Sequence, residues 1–520
     1  MSDIKLNDLE KGSNGSQYDE ELYTGDSTKG YVDTGTNSTL RFINKVVKLL
    51  DAESHGIERI PENERNPNEG VLEAASMWFS ANLVISALVL GFLGQTIGGL
   101  SFWESVLTII FFNILGMIFV AYYTFWGSLF GLRQMILSRF LLGNIGVRIF
   151  TFLTAIACIG WGAVNSMSSA QLLNLVNRPH SLPPWAGLLI IVLLTIIVSM
   201  FGYRAVHLYE KYSWIPNLAV FFVLIARFKI SGAFNAGEFS SGEATAAGVL
   251  TFGGAIFGFA AGWTTYAADY TVYIRNDYPK WKLFIGTAIG LFLPLVFCNV
   301  LGAAIITGIN TNETYAYYYE NYQSGGLLFA ILAVDSVGGF GQFCAVILAL
   351  STVANNIPNM YTIAFCAQAF WSPLRKVPRI VWTVLGNCLT LAISIPAYYH
   401  FQDFISNFMN LISYYLAIYI ALTLSEHFIW NRNDFSRYDP TRWDDKSYYP
   451  VGIAAAIGFC FGIAGCVLGM DQVWYLGKIG GLINPNSEYP GADIGFELSF
   501  GFAFIGYNIF RPLELKYIGR

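Results

Sequence analysis

Asn355 and Asn359 stand four residues apart in an apolar run from about Phe340 to Trp371, a run long enough to cross a bilayer as a helix. At that spacing both carboxamides share one helical face. Pro358 lies between them and has no N–H, so the carbonyl of Ala354 is expected to lose its helical partner. In lipid such a carbonyl needs protein, water or a ligand. Two carboxamides and a released carbonyl can read the edge of a planar molecule through several donors and acceptors at once. Transmembrane asparagines also glue helices together, but the clustering of Asn355, Asn356 and Asn359 around a proline favours binding over packing.

Three further stretches carry polar or aromatic side chains at membrane depth. In Gly160-Trp161-Gly162-Ala163-Val164-Asn165-Ser166, Trp161 and Asn165 share a helical face. In the run from Gly253 to Tyr266, repeated glycine with Trp263, ending at Gly262, predicts an interrupted helix whose backbone approaches a ligand. Met77 to Asn82, with Ser80 in it, places small polar residues in an otherwise apolar run. Two indoles, Trp161 and Trp263, can hold a flat ring between them while the amides read its edge.

This chemistry is recognition and not catalysis. No Ser-His-Asp set, carboxylate pair or intramembrane metal cluster can be assembled from the sequence, so the chain does not read as an enzyme. The five histidines are scattered, and the seven cysteines fall in apolar stretches without a CxxC pair. Asp269 and Glu497 are the notable carboxylates near membrane-depth positions. Each is a candidate for carrying a proton, and each also has a plain hydrogen-bonding reading.

The elements that position these residues follow from composition. Hydrophobic residues make up 54% of the chain and charged residues 12%, which points to an all-α polytopic membrane protein. The net charge of −5 is mild, and no basic block suggests a nucleic-acid partner. Residues 1–70 are polar and predict a disordered N-terminal tail. Twelve apolar runs follow, at about 75–97, 104–127, 147–174, 185–203, 213–230, 247–272, 283–309, 340–371, 380–397, 404–429, 450–470 and 493–510. Between the seventh and eighth, Gly325 to Val337 predicts a short helix lying over the outer face. Residues 71–430 therefore hold ten spans, 431–449 a loop, 450–510 two more spans, and 511–520 a C-terminal tail.

Loops after even-numbered spans are rich in Lys and Arg, among them Arg133, Arg139, Arg375, Lys376 and Arg442. Those after odd-numbered spans hold only Arg178, Arg227, Lys229 and Lys478. That bias predicts both termini on the cytoplasmic side.

Spans 1 and 6 are five apart, as are spans 3 and 8, and these four carry the polar stretches. A five-plus-five inverted repeat would bring them together near the bilayer midplane.

The motifs Gly131-Leu132-Arg133-Gln134-Met135, Gly160-Trp161-Gly162, Gly262-Trp263-Thr264-Thr265-Tyr266-Ala267-Ala268-Asp269-Tyr270, Asn355-Asn356-Ile357-Pro358-Asn359-Met360-Tyr361 and Arg511-Pro512-Leu513-Glu514 carry a resemblance. From about Leu72 to Arg520 the chain resembles the fungal purine-cytosine permeases of the nucleobase-cation-symport-1 family. The resemblance implies twelve transmembrane helices in the LeuT-type fold, with spans 1–5 and 6–10 as inverted repeats and two added. It implies plasma-membrane uptake of cytosine, adenine, guanine and hypoxanthine with protons, and no cofactor besides the co-transported proton. It implies substrate contacts from Ser80, Trp161, Asn165, Trp263, Asn355 and Asn359, with Pro358 and Gly262 shaping the site. Sodium-coupled relatives hold the ion between span 1 carbonyls and span 8 hydroxyls. Here Val353 and Ala354, without hydroxyls, precede Asn355, and Ser351 and Thr352 lie one turn off, a departure that fits a proton-coupled carrier. Carriers of a pyridoxine-like vitamin, allantoin or a hydantoin, and a non-transporting nucleobase receptor, remain alternatives.

Overall fold

The computed structural model describes residues 56–177, 182–200, 212–486 and 490–520. Each of the twelve apolar runs is largely helical over its described residues. The first is broken: α1 (Val71–Asn82) and α2 (Ile85–Leu90) meet at an angle of 60° once a short turn at Leu93–Thr96 is included. Then come α3 (Phe102–Phe130), α4 (Gln134–Leu173), α5 (Pro184–Met200), α6 (Trp214–Ser231) and α7 (Glu243–Ala261). The second half runs α8 (Lys280–Ile306), α9 (Glu313–Leu332), α10 (Gly339–Phe370), α11 (Arg379–Ala397) and α12 (Phe401–Leu424). The last two are α13 (Ile453–Gly469) and α14 (Gly495–Ile518).

By length and composition, seven helical stretches among the described residues can cross a bilayer, or eight counting the bent pair. One of these, Arg379–Trp430, contains both α11 and α12, which separate at Tyr398–His400. The apolar α5 and α13 are a little short, and α14 carries Glu497, Arg511 and Glu514 in its turns. Large apolar side chains such as Phe111, Phe152, Phe222, Leu293 and Phe343 face outward, as a bilayer requires.

Local chemistry explains where helices start and stop. Ser101 precedes α3, and its N–H donates to Glu104 Oε2 at 2.7 Å in a capping box. Gly143, at φ 69°, breaks α4 between an initial segment, residues 134–142, carrying Arg139 and the crossing proper. A Cβ there would lie 2.3 Å from the Pro450 carbonyl. The expected interruption of the sixth span is present: α7 ends at Ala261, and Thr264–Tyr270 continues as a tight 3-10 stretch with Tyr266 outside helical dihedrals.

Three sequence expectations need correction. Of the expected disordered tail, residues 1–55 lie outside the described residues, whereas 56–70 fold as a strap. Ile57 and Ile60 are buried, Ile60 N–H donates to the Gly131 carbonyl at 2.9 Å, and Arg133 Nε donates to the Gly56 carbonyl at 3.0 Å. The helix expected over Gly325 to Val337 begins earlier, at Glu313, turns at Gln323 (φ 54°), and packs inward. A Cβ on Gly325 would sit 2.4 Å from the backbone of Gln171, so the interior contact demands glycine. Finally, residues 511–518 are not tail but the end of α14, because Arg511 and Glu514 are buried in ion pairs.

Candidate functional site

A small cavity lies where α4, α7 with its 3-10 extension, and α10 meet. Trp161 of α4, Phe259 and Gly262 at the end of α7, Trp263 and Tyr266 beyond the break, and Asn355 and Asn359 of α10 line it.

Its walls are aromatic. Trp161 stands edge-on to Phe259, with centroids 5.1 Å apart at 83°, and to Phe408 at 5.6 Å. Trp263 is fixed against Trp78 at 5.1 Å and by its Nε1–H, which donates to Asn82 Oδ1 at 3.1 Å. Gly262 is required between the indoles, since a Cβ there would meet Trp161 Cζ2 at 2.8 Å. Trp161 Nε1–H is buried and has no hydrogen-bond partner among the described residues. The cavity therefore faces a donor that a ligand can use.

The polar edge is an amide chain. Tyr266 O–H donates to Asn359 Oδ1 at 3.0 Å, and Asn359 Nδ2 donates to the Asn355 carbonyl at 3.0 Å. Asn355 Nδ2 donates to the carbonyl of Ala81, at the break of the first crossing, at 2.5 Å. Behind it, Asn165 Nδ2 donates to Oδ1 of both Asn355 and Asn356 at 2.8 Å, and Ser86 O–H donates to Asn165 Oδ1 at 2.7 Å. No acidic, basic or histidine side chain lines the cavity. The arrangement suits a neutral planar heterocycle.

Of the residues singled out in the sequence, Trp161, Trp263, Gly262, Asn355 and Asn359 come together at the cavity. Asn165 does not line it and orients Asn355 from behind. Ser80 is buried elsewhere, its hydroxyl sharing a 2.6 Å bond with that of Ser213. Pro358 does not open a loop, for α10 runs through it as one helix. Phe259 and Tyr266 line the cavity without having been assigned a role. Phe259 stands four residues before Trp263, a helical spacing that offered a signal.

The two candidate carboxylates sit apart from the cavity. Asp269 Oδ1 accepts from the Gln134 N–H at 2.7 Å, and its carbonyl accepts from Arg133 Nη1 at 3.2 Å. Glu497 lies in the first turn of α14, with Oε2 buried and without a partner among the described residues. Its neighbour Phe496 stacks on Phe257 of α7 at 4.5 Å. Among the described residues, no group of three or more His, Cys, Asp or Glu is placed to hold a metal.

The sequence profile described as permease for cytosine/purines, uracil, thiamine, allantoin matches residues 59–477. The chain belongs to that permease family. This permease is 52% identical to the purine-cytosine permease FCY2 of Saccharomyces cerevisiae, over 96% of its own chain and 93% of that protein. It is 41% identical to the purine-cytosine permease fcyB of Emericella nidulans, over 99% of both chains. Its fold is that of Mhp1, a nucleobase-cation-symport-1 family transporter solved in a closed conformation with bromovinylhydantoin bound. The TM-score is 0.64 at 14% identity, covering 89% of the permease and 95% of that chain. The permease thus has the expected architecture, twelve helices with a five-plus-five repeat and two added, whose broken members are the first and sixth crossings.

Proposed function

We propose that this permease takes up cytosine and purine bases across the plasma membrane, coupled to protons, by alternating access around the cavity between α4, α7 and α10. The observation that carries the reading is a small, uncharged cavity with aromatic walls and carboxamides on one side. A nucleobase ring stacks against Trp161 and Trp263, while Asn355, Asn359 and the spare Trp161 N–H meet its ring nitrogens and exocyclic groups. The named relatives, purine-cytosine permeases in two fungi, support the same substrate class.

The broken first crossing supports protons as the coupling ion. A sodium ion there would need free carbonyls, yet the Ala81 carbonyl is taken by Asn355 Nδ2 and the Leu83 carbonyl by Asn217 Nδ2 at 3.4 Å. The nearby hydroxyls of α10 are also engaged. Ser351 accepts from Ile85 N–H at 3.1 Å, and Thr352 shares a 2.6 Å bond with Ser169. A proton needs no such cage. Of the candidate seats, Glu497 has an oxygen without a partner among the described residues, while Asp269 is tied to Gln134 and Arg133.

With the basic loops inside, proton gradient and membrane potential both point into the cell. One inward charge gains about 2.3 kcal/mol per 100 mV, and one pH unit adds about 1.4 kcal/mol. The test is uptake of radiolabelled cytosine, adenine, guanine, hypoxanthine, uracil, pyridoxine and allantoin by cells lacking their own carriers. Cytosine and purine uptake should rise as external pH falls from about 7 to 5, collapse with a protonophore and survive replacement of sodium by choline. Ligand binding without accumulation would make the protein a receptor. Transport of pyridoxine or allantoin alone would move the substrate class. Accumulation in liposomes driven by a sodium gradient alone would overturn the proton assignment.

A further inference from the structure

A second cavity, with about 340 Å³ of empty space, opens at the basic end of the bundle between α4, α10 and the loop 431–449. Arg139, Asn144, Arg148, Arg375 and Lys446 line it, with Asp444 as its one carboxylate. That carboxylate is already spent. Arg375 grips it with two bonds, Nη2 to Oδ1 at 2.6 Å and Nη1 to Oδ2 at 2.9 Å, and Arg139 Nη1 adds a third at 3.2 Å. Arg139 is only 7% exposed and also donates to the Ala369 carbonyl at 3.1 Å. Arg148 and Lys446 have no ion pair among the described residues and are exposed. The lining therefore holds four cations against one anion, a concentration of like charge that costs free energy unless an anion enters.

The surroundings decide which anion. Phe370 and Trp371 end α10 on the rim, both exposed, and Phe370 lies 6.4 Å from the exposed Phe152 of α4. An exposed tryptophan at the end of a crossing helix, as Trp371 is, marks the boundary between headgroups and acyl chains. A pocket of cations beside such a boundary matches the pattern that holds acidic lipid headgroups between helices. The break at Gly143 aims Asn144 and Arg148 at the pocket from the start of the crossing proper.

We propose that this pocket seats the phosphorylated headgroup of an anionic lipid, with Arg148 and Lys446 as its free cations and the Arg139–Asp444–Arg375 cluster as its floor. The site is independent of the cavity between α4, α7 and α10.

The test is a titration of the purified full chain in detergent with a short-chain phosphatidylinositol bisphosphate, read by tryptophan fluorescence, since Trp443 lies against Arg375 at 5.4 Å. Wild type should bind saturably, and short-chain phosphatidylcholine should not compete. Arg148→Gln with Lys446→Gln should weaken binding by about fivefold per cation, about 30-fold together. Both residues are exposed, so the unliganded thermal midpoint should stay at the wild-type value. Lys229→Gln with Lys478→Gln, at the opposite end, should bind as wild type does. Equal affinity in the Arg148/Lys446 pair and wild type, or equal losses in both pairs, would overturn the site. Inositol trisphosphate or inorganic phosphate binding as tightly as the lipid would overturn the lipid as its source and make the ligand a soluble phosphate.

Discussion

The side-chain amide of Asn355 donates to the main-chain carbonyl of Ala81 at 2.5 Å, joining the broken first crossing to α10 across 274 residues of sequence. The same side chain accepts from Asn165 Nδ2, so one carboxamide ties together α1, α4 and α10 at the edge of the cavity. Removing it takes the donor from the buried Ala81 carbonyl and leaves Asn165 Nδ2 held by Asn356 alone. Asn355→Ala and Asn359→Ala should each reach the membrane and lose uptake. A dry hydrogen bond to a ligand edge is worth about 1–3 kcal/mol, or about 5- to 150-fold in affinity. Competition of unlabelled cytosine against a labelled base checks it, and wild-type apparent affinity in a correctly sorted Asn359→Ala protein would exclude that side chain from the site.

The two indoles should separate by what each already does. Trp263 Nε1–H is spent on Asn82, whereas Trp161 Nε1–H is free among the described residues. Trp→Phe keeps a smaller stacking face and removes the N–H, while Trp→Ala removes both. Trp161→Phe should therefore weaken substrate affinity through the ligand bond. Trp263→Phe should act through Asn82, loosening the link to α1 and lowering the maximal rate more than affinity. Both alanine variants should be inactive. Active Trp161→Ala and Trp263→Ala proteins would return both rings to packing.

Much of this site was legible because its signals are local. The spacing of Asn355 and Asn359 set both on one face, and glycine with tryptophan in the sixth span marked a break. The break in the first crossing carries no such mark. Leu83 and Val84 are ordinary apolar residues, and the chain opens there because distant groups satisfy it. Asn217 reaches the Leu83 carbonyl, and Ser351 accepts from Ile85 N–H. Partners more than a hundred residues away have no local signature. The same holds for Ser80, whose hydroxyl partner Ser213 lies 133 residues on, and for the strap at 56–70, where Arg65 donates to the carbonyl of Ser128 at 2.5 Å. A polar segment that bonds to backbone carbonyls looks, by composition, like a tail.

A buried ionic cluster registers the last two helices. Glu426 accepts from Arg511 Nε and Nη2 at 2.9 and 2.8 Å and from Tyr507 O–H at 2.7 Å. Glu514, 3.4 Å from Arg511, accepts from the N–H groups of Gly452, Ile453 and Ala454 and so caps α13. Truncating one member strands the others. Glu426→Ala should cost about 3 kcal/mol by leaving the buried Arg511 charge with Glu514, at 3.4 Å, as its remaining counter-charge. The joint replacement of Glu426 by Gln and Arg511 by Met should cost less than either single alanine. Thermal unfolding in detergent measures the difference, and additive losses across the pair would show that the two side chains do not act as a unit.

The hairpin β1–β2 (Asp471–Gln472 and Tyr475–Leu476), between α13 and α14, carries a pH response. Burial, reinforced by the neighbouring Asp493 carboxylate, pushes the Asp471 carboxyl up to about 6 from its ordinary 3.8. The Asp471 N–H donates to Asp493 Oδ2 at 3.0 Å, which holds the pair together. Because the folded value is raised, the fold takes up a proton that the unfolded chain has already lost between about pH 4 and 6. The stability this group gives is complete below 3.8 and is lost as pH rises through 6. A shift of about two units corresponds to about 3 kcal/mol at most, and solvent at a half-buried loop reduces it. Asp471→Asn removes the charge that burial disfavours. It should therefore raise the unfolding midpoint at pH 7.5 and leave it unchanged at pH 4, flattening the rise that wild type shows on acidification between them. Parallel pH profiles for wild type and Asp471→Asn would place the response elsewhere.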